Sequence, residues 1–96
     1  MKKLQKFRFV LYVAAETQNS LLAATNLNAL CREHLPGLHE IEIVDVFKKP
    51  ERALADRIFM TPLLIRTAPS PPQRVIGTLS QPERLLQALG LRPAAQ

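Results

Sequence analysis

Few side chains in this sequence could carry covalent or acid–base chemistry: one cysteine, Cys31; two histidines, His34 and His39; the serines Ser20, Ser70 and Ser80; and carboxylates such as Asp45 and Asp56. Thiol–disulfide exchange requires a thiolate at a helix N-terminus, where unpaired N–H groups and the helix dipole stabilise negative charge. The first predicted helix begins at Thr17-Gln18-Asn19-Ser20, with no cysteine among them. Cys31 falls about three turns further on, along the apolar stripe. Burial there raises a thiol's pKa and makes it inert, so Cys31 is expected to be structural.

The other candidates lead to the same place. His34 and His39 flank Pro36-Gly37 without cysteines or carboxylates at a metal-ligand spacing, so no metal site is expected. The serines have no partnered histidine and acid in a triad order, and Ser20 and Ser80 are expected to act as helix caps. The three glycines fall at turns and strand ends, which rules out a glycine-rich phosphate loop. Asp45, closing a strand, and Asp56, facing out of a short helix, are expected to be solvated carboxylates. With no catalytic residue and no cofactor expected, the chain reads as a binding protein, not an enzyme.

Periodicity gives the elements that hold these residues. Lys6 to Ala14 is an apolar run of strand length, suited to a strand buried on both faces. The polar cluster Glu16 to Ser20 then opens a helix whose stripe is Leu21, Leu22, Ala24, Leu27, Leu30, Cys31 and Leu35, and Pro36-Gly37 stops it. Ile41 to Phe47 reads as a second strand, parallel to the first across the helical crossover. Pro50 starts a short helix to about Arg57. Met60 to Arg66 and Gln73 to Thr78 form a hairpin around the loop Ala68-Pro69-Ser70-Pro71-Pro72. Leu79 to Leu89 is a last helix, with Ser80 and Glu83 as a capping box and Gly90 closing it. The order β-α-β-α-β-β-α, a parallel pair followed by a hairpin, is a thioredoxin-like α/β plan with a mixed four-stranded sheet.

Composition agrees. Ninety-six residues suit one domain spanning 1–96, with 91–96 a tail too poor in apolar residues to require order, and 47% hydrophobic against 22% charged residues is a globular balance. The net charge is +5. A charge of this size could steer the chain toward an acidic partner, nucleic acid or anionic lipid, but its basic residues are scattered and its few aromatics are not interleaved with them, which weakens the nucleic-acid reading. Met1-Lys2-Lys3 and the apolar run after it faintly imitate a signal peptide, but Arg8 interrupts the pattern and the remaining run is far short of the roughly 20 residues that span a bilayer. One cysteine makes the fold independent of an oxidising compartment, so the cytoplasm is expected.

The sequence resembles the circadian-clock KaiB family. The resemblance runs from Leu11 to about Leu86 and rests on Leu11-Tyr12-Val13-Ala14, Thr17 with Asn19-Ser20, Val44-Asp45-Val46, Pro50, Ala55-Asp56, Thr61-Pro62, Pro71, and Ile76-Gly77 with Leu79-Ser80. It implies a regulator that binds the ring of a KaiC-type ATPase, as a thioredoxin-like monomer that can interconvert with a tetramer. In that tetramer the order is β-α-β-β-α-α-β, with helix near Leu63-Leu64-Ile65 and strand near Arg84-Leu85-Leu86. In the thioredoxin-like plan Thr61-Pro62 stands where that fold commonly carries a cis-proline, its isomer left open by sequence. Arg57 and Arg74 match basic contact positions, whereas Glu42 and Leu22 stand where the family typically has basic residues and Ala15-Glu16 replaces Gly-Asn. Two further readings share the scaffold: a sensor or docking module for a clock-type histidine kinase, and a thiol oxidoreductase, opposed by the missing first-helix cysteine. Between the two KaiB states, the Ser80 start and the helix formers Leu85 to Ala88 favour the thioredoxin-like one.

Overall fold

Elements β1 (Phe7–Val13), α1 (Gln18–His34), β2 (His39–Asp45), α2 (Pro50–Ala55), β3 (Leu63–Ala68), β4 (Gln73–Ile76) and α3 (Pro82–Ala88) follow one another in the computed structural model, which describes residues 5–91. The Met1-Lys2-Lys3 start and the tail beyond Leu91 lie outside the described residues. The sheet order is β2-β1-β3-β4. β1 pairs parallel with β2, Val13 opposite Asp45, and antiparallel with β3, Tyr12 opposite Leu63. β3 pairs antiparallel with β4, Leu63 opposite Ile76. This is the thioredoxin-like arrangement. In place of the tetramer's pattern, Leu63, Leu64 and Ile65 are strand, and Leu85 and Leu86 lie on α3.

The central position of β1 explains its apolar run: every residue from Phe9 to Val13 is buried. Phe9, Leu11 and Val13 face one way and pack with Leu64 against α1 and α3 through Leu27, Leu30, Leu85, Leu86 and Leu89. Val10 and Tyr12 face the other way, with Val44, Leu63 and Ile65. Fully burying one such side chain contributes roughly 1.5–3 kcal/mol, so the larger first cluster dominates stability.

Local chemistry sets the element ends. The Thr17 hydroxyl accepts the Ser20 N–H at 3.2 Å and caps α1, and the helix stops where Gly37 takes φ +72°. Its buried face is Ser20, Ala23, Leu27, Leu30 and Cys31. Leu21 and Leu22, expected on the apolar stripe, are exposed instead, because the stripe is phased by Ala23, Leu27 and Leu30. β3 starts after Pro62, which has no N–H to give to the ladder, and runs on to Ala68. The Thr61-Pro62, Ala68-Pro69 and Ser70-Pro71 bonds are cis.

Ser80, expected as the N-cap of the last helix, does not occupy that position. Leu79 has φ +62° and cannot begin a helix, and α3 opens at Pro82, whose fixed φ and missing N–H suit the first helical position. The N-cap is therefore Gln81, which makes no side-chain capping bond, and the Ser80 hydroxyl lies 2.6 Å from that of Thr78.

A buried arginine holds the far end of α3. Arg66 on β3 donates to the Leu89 carbonyl and, at 2.6 Å, to the Pro71 carbonyl, and its guanidinium lies 5.9 Å from the Phe7 ring centre. No carboxylate pairs with it among the described residues, and its Nε has no partner.

Candidate docking surface

Thr17 to Ser20 begin α1 without a thiol, and the buried Cys31 thiol is pushed up to about 11 by desolvation. Among the described residues no group of three or more His, Cys, Asp or Glu side chains could hold a metal ion. His39 Nδ1 lies 2.7 Å from the Leu35 carbonyl, and His34 lies 3.9 Å from Glu33. No helix is long and apolar enough to cross a membrane among the described residues.

What the fold does build is a polar network across the Tyr12 face of the sheet. A buried tyrosine needs a partner for its hydroxyl, and that of Tyr12 donates to the Asp56 carboxylate, just past α2. Burial first, and the Asp56 carboxylate second, push the Tyr12 phenol up to about 12. The Asp56 carbonyl in turn accepts from the Arg74 guanidinium on β4. One helical turn back, Arg52 forms a two-pronged ion pair with Glu42 on β2, one contact at 2.9 Å. Arg52 holds the Glu42 carboxyl below the usual carboxylate range, and the pair raises Arg52 further. Asp56 is thus no solvated carboxylate, as was expected, because the end of α2 turns it back over Tyr12. Asp45 departs in the same way: its Oδ1 accepts the Phe47 N–H at 2.8 Å and shapes the turn after β2.

The network fixes what stays outside it. Arg57 follows Asp56 with φ +56°, and its exposed guanidinium makes no hydrogen bond or ion pair among the described residues. The strand registers bring the C-terminal ends of β1, β2 and β4 and the start of β3 to one edge. Exposed apolar side chains border that edge: Phe47 at 73%, Phe59 at 85% and Met60 at 60% exposure, with Leu54 on α2 and Ile76 on β4. Lys48, Lys49 and Arg57 lie among them in sequence and are exposed too. Exposed aromatic and apolar side chains interspersed with cations suit a protein partner with an acidic rim.

Of the residues singled out from sequence, Arg74 and Glu42 both join the α2 network, Glu42 with its charge already answered by Arg52, whereas Arg57 stands free of it. Pro62 accepts the Gly77 N–H at 2.9 Å and pins β3 to β4. Sequence reasoning missed Tyr12, Arg52 and Asp56 as a unit. The available signal was the lone tyrosine within an otherwise apolar run, which predicts a polar partner from the element packed above it.

A KaiB domain model matches residues 10–91. The circadian clock protein KaiB3 of Synechocystis is 37% identical over 83 residues, covering 86% of this chain and 81% of its own. The circadian clock oscillator protein KaiB of Thermosynechococcus vestitus is 40% identical over 81 residues, covering 84% of this chain and 75% of its own. Among solved structures, the N-terminal domain of Synechococcus elongatus SasA superposes with a TM-score of 0.73 at 19% identity, covering 100% of this chain and 94% of that one. Chloroplastic thioredoxin z gives 0.68 at 20% identity, covering 92% and 81%. The last two are likenesses of fold.

Proposed function

The chain belongs to the KaiB family, and on that footing we propose that it is a non-catalytic regulatory protein of a circadian clock, or of a related stress or timing system, that docks on the ring of a KaiC-type ATPase. One observation carries the site assignment: Arg57 is an exposed cation with no ion pair among the described residues, held at positive φ close in sequence to Phe59 and Met60 and outside the network that engages Arg52 and Arg74. An acidic surface on the ring would pair with Arg57, and Arg74 would hold α2 in the docking pose. The docking form is the thioredoxin-like monomer, with assembly into a homo-oligomer belonging to a different state of the chain, and the cytoplasm is its compartment.

The test is direct binding of the purified chain to a KaiC-type ATPase. Joint reversal, Arg57→Glu with Arg74→Glu, is expected to abolish binding; unchanged affinity would sink the site assignment. Turnover in an insulin-reduction assay would overturn the non-catalytic reading.

A second reading, a docking module for a clock histidine kinase, is favoured by the full-length likeness of fold to the SasA domain. Binding to a kinase with no affinity for the ATPase ring would select it.

A further inference from the structure

We propose that the free edge of β4, with the cleft beside α3, takes up an extended acidic segment of a protein partner as an added strand. β4 is an outer strand of the sheet. The Gly77 N–H to Pro62 carbonyl bond fixes the phase of the β3–β4 ladder: Gln73, Val75 and Gly77 turn their backbone groups toward β3, and Arg74 and Ile76 turn theirs outward. Two outward N–H and C=O pairs about 7 Å apart are the template an incoming strand needs.

The surroundings choose the occupant. A cleft of about 800 Å³ runs between this edge and α3, lined from Arg74 to Gln81 and by Arg84, Leu85, Gln87 and Ala88. None of these residues is acidic and two are arginines. Among the described residues Arg84 donates to the neutral Gln81 side chain at 3.2 Å and forms no ion pair. Arg74 turns its guanidinium to Asp56, leaving its backbone to the edge. On the opposite edge, β2, the carboxylates of Glu40 and Glu42 already occupy the nearby cations Lys6, Arg8 and Arg52, so that edge offers an acidic segment no comparable unpaired arginine. Ile76, exposed on β4, offers an apolar contact to alternate residues of the added strand. This inference stands apart from the docking reading, because it uses the backbone of Arg74 and Ile76 and the side chain of Arg84.

The probe is a blocked peptide of about eight residues alternating glutamate and valine, long enough to span the four-residue strand. Amide NMR shifts of the full chain are followed on titration. Shifts confined to Arg74–Thr78 and α3, with slowed exchange of the Arg74 and Ile76 amides, are expected. Ile76→Pro deletes one outward donor and no ladder bond, and is expected to weaken the peptide by about tenfold. Arg84→Glu, on the exposed face of α3, is expected to do the same without altering the fold, and keeps the test open if Ile76→Pro unfolds.

The proposal would be overturned by no shifts at millimolar peptide, by equal binding of a lysine–valine peptide, by equal binding of a peptide N-methylated at alternate amides, or by a stable dimer through β4 that excludes the peptide. A single-stranded oligonucleotide giving the same shifts more tightly than the peptide would also overturn it, in favour of nucleic acid.

Discussion

The hydroxyl of Tyr12, buried in the middle of the central strand, donates to the carboxylate of Asp56 across a sequence separation of 44 residues. The bond joins the strand that organises the core to the element that carries Arg57. Tyr12→Phe keeps the ring and removes the donor, so it is expected to lower stability by about 1.5–3 kcal/mol, the range for a bond to a charged group. Urea denaturation checks this, with an unchanged m-value showing that the fold is intact.

The same bond predicts a pH response. The folded phenol is raised to about 12 against an ordinary value of 10, so its contribution to stability is complete below pH 10 and is lost as pH rises toward 12. The chain has one tyrosine and no tryptophan, so ultraviolet difference titration reads Tyr12 alone. A midpoint well above 10 in the folded chain, returning to about 10 in denaturant, is expected. A folded midpoint near 10 would show that the phenol is neither sealed nor paired.

Recognition and stability should separate at Arg57. An L-residue at φ +56° is strained by roughly 1–2 kcal/mol, and glycine relieves that strain at the cost of greater chain entropy. Arg57→Gly is expected to leave the melting temperature unchanged or slightly raised while weakening binding to a KaiC-type ATPase by about tenfold, near 1.4 kcal/mol. Calorimetry and a binding titration on one sample decide it; unchanged affinity would clear Arg57 of a docking role.

Gly90 is expected to tolerate no side chain. Its φ is +76°, and an added Cβ would lie 3.3 Å from Nη1 of the buried Arg66. Gly90→Ala should cost about 1–2 kcal/mol by thermal or chemical unfolding. Arg66→Met should cost more, about 2–4 kcal/mol, because it strands two carbonyls, Leu89 and Pro71.

Cys31 supplies the redox test. With its thiol buried and pushed up to about 11, reaction with a disulfide reagent at pH 8 is expected to wait on unfolding. Fast labelling of the native chain would show an accessible thiolate and reopen the oxidoreductase reading.

The parts legible from sequence are those in which local pattern and tertiary packing agree. The apolar run of β1, the Thr17 cap, the Pro36-Gly37 stop and the Pro50 start each carry their signal within a few residues. Ser80 and Glu83 looked like a capping box, but the motif says nothing of Pro82, which claims the first helical position, nor of the φ taken by Leu79. Leu21 and Leu22 looked like core because the period of α1 was legible and its phase was not. The Tyr12, Asp56, Arg74 and the Arg52, Glu42 contacts are tertiary pairings between distant segments, and no local rule brings a carboxylate at one position to a phenol at another.

Helix α2 has one buried residue, Ala53, and is otherwise secured by the polar ties of Arg52, Asp56 and Arg74. Polar ties on a short helix contribute far less than a packed core, so this element should open at a lower free energy than the sheet beneath it, and its amides should exchange early. Such opening would carry Arg57 away from the cis-proline edge. A partner that grips both Arg57 and that edge therefore binds only the closed form, and its occupancy becomes thermodynamically linked to the local melting of a six-residue helix.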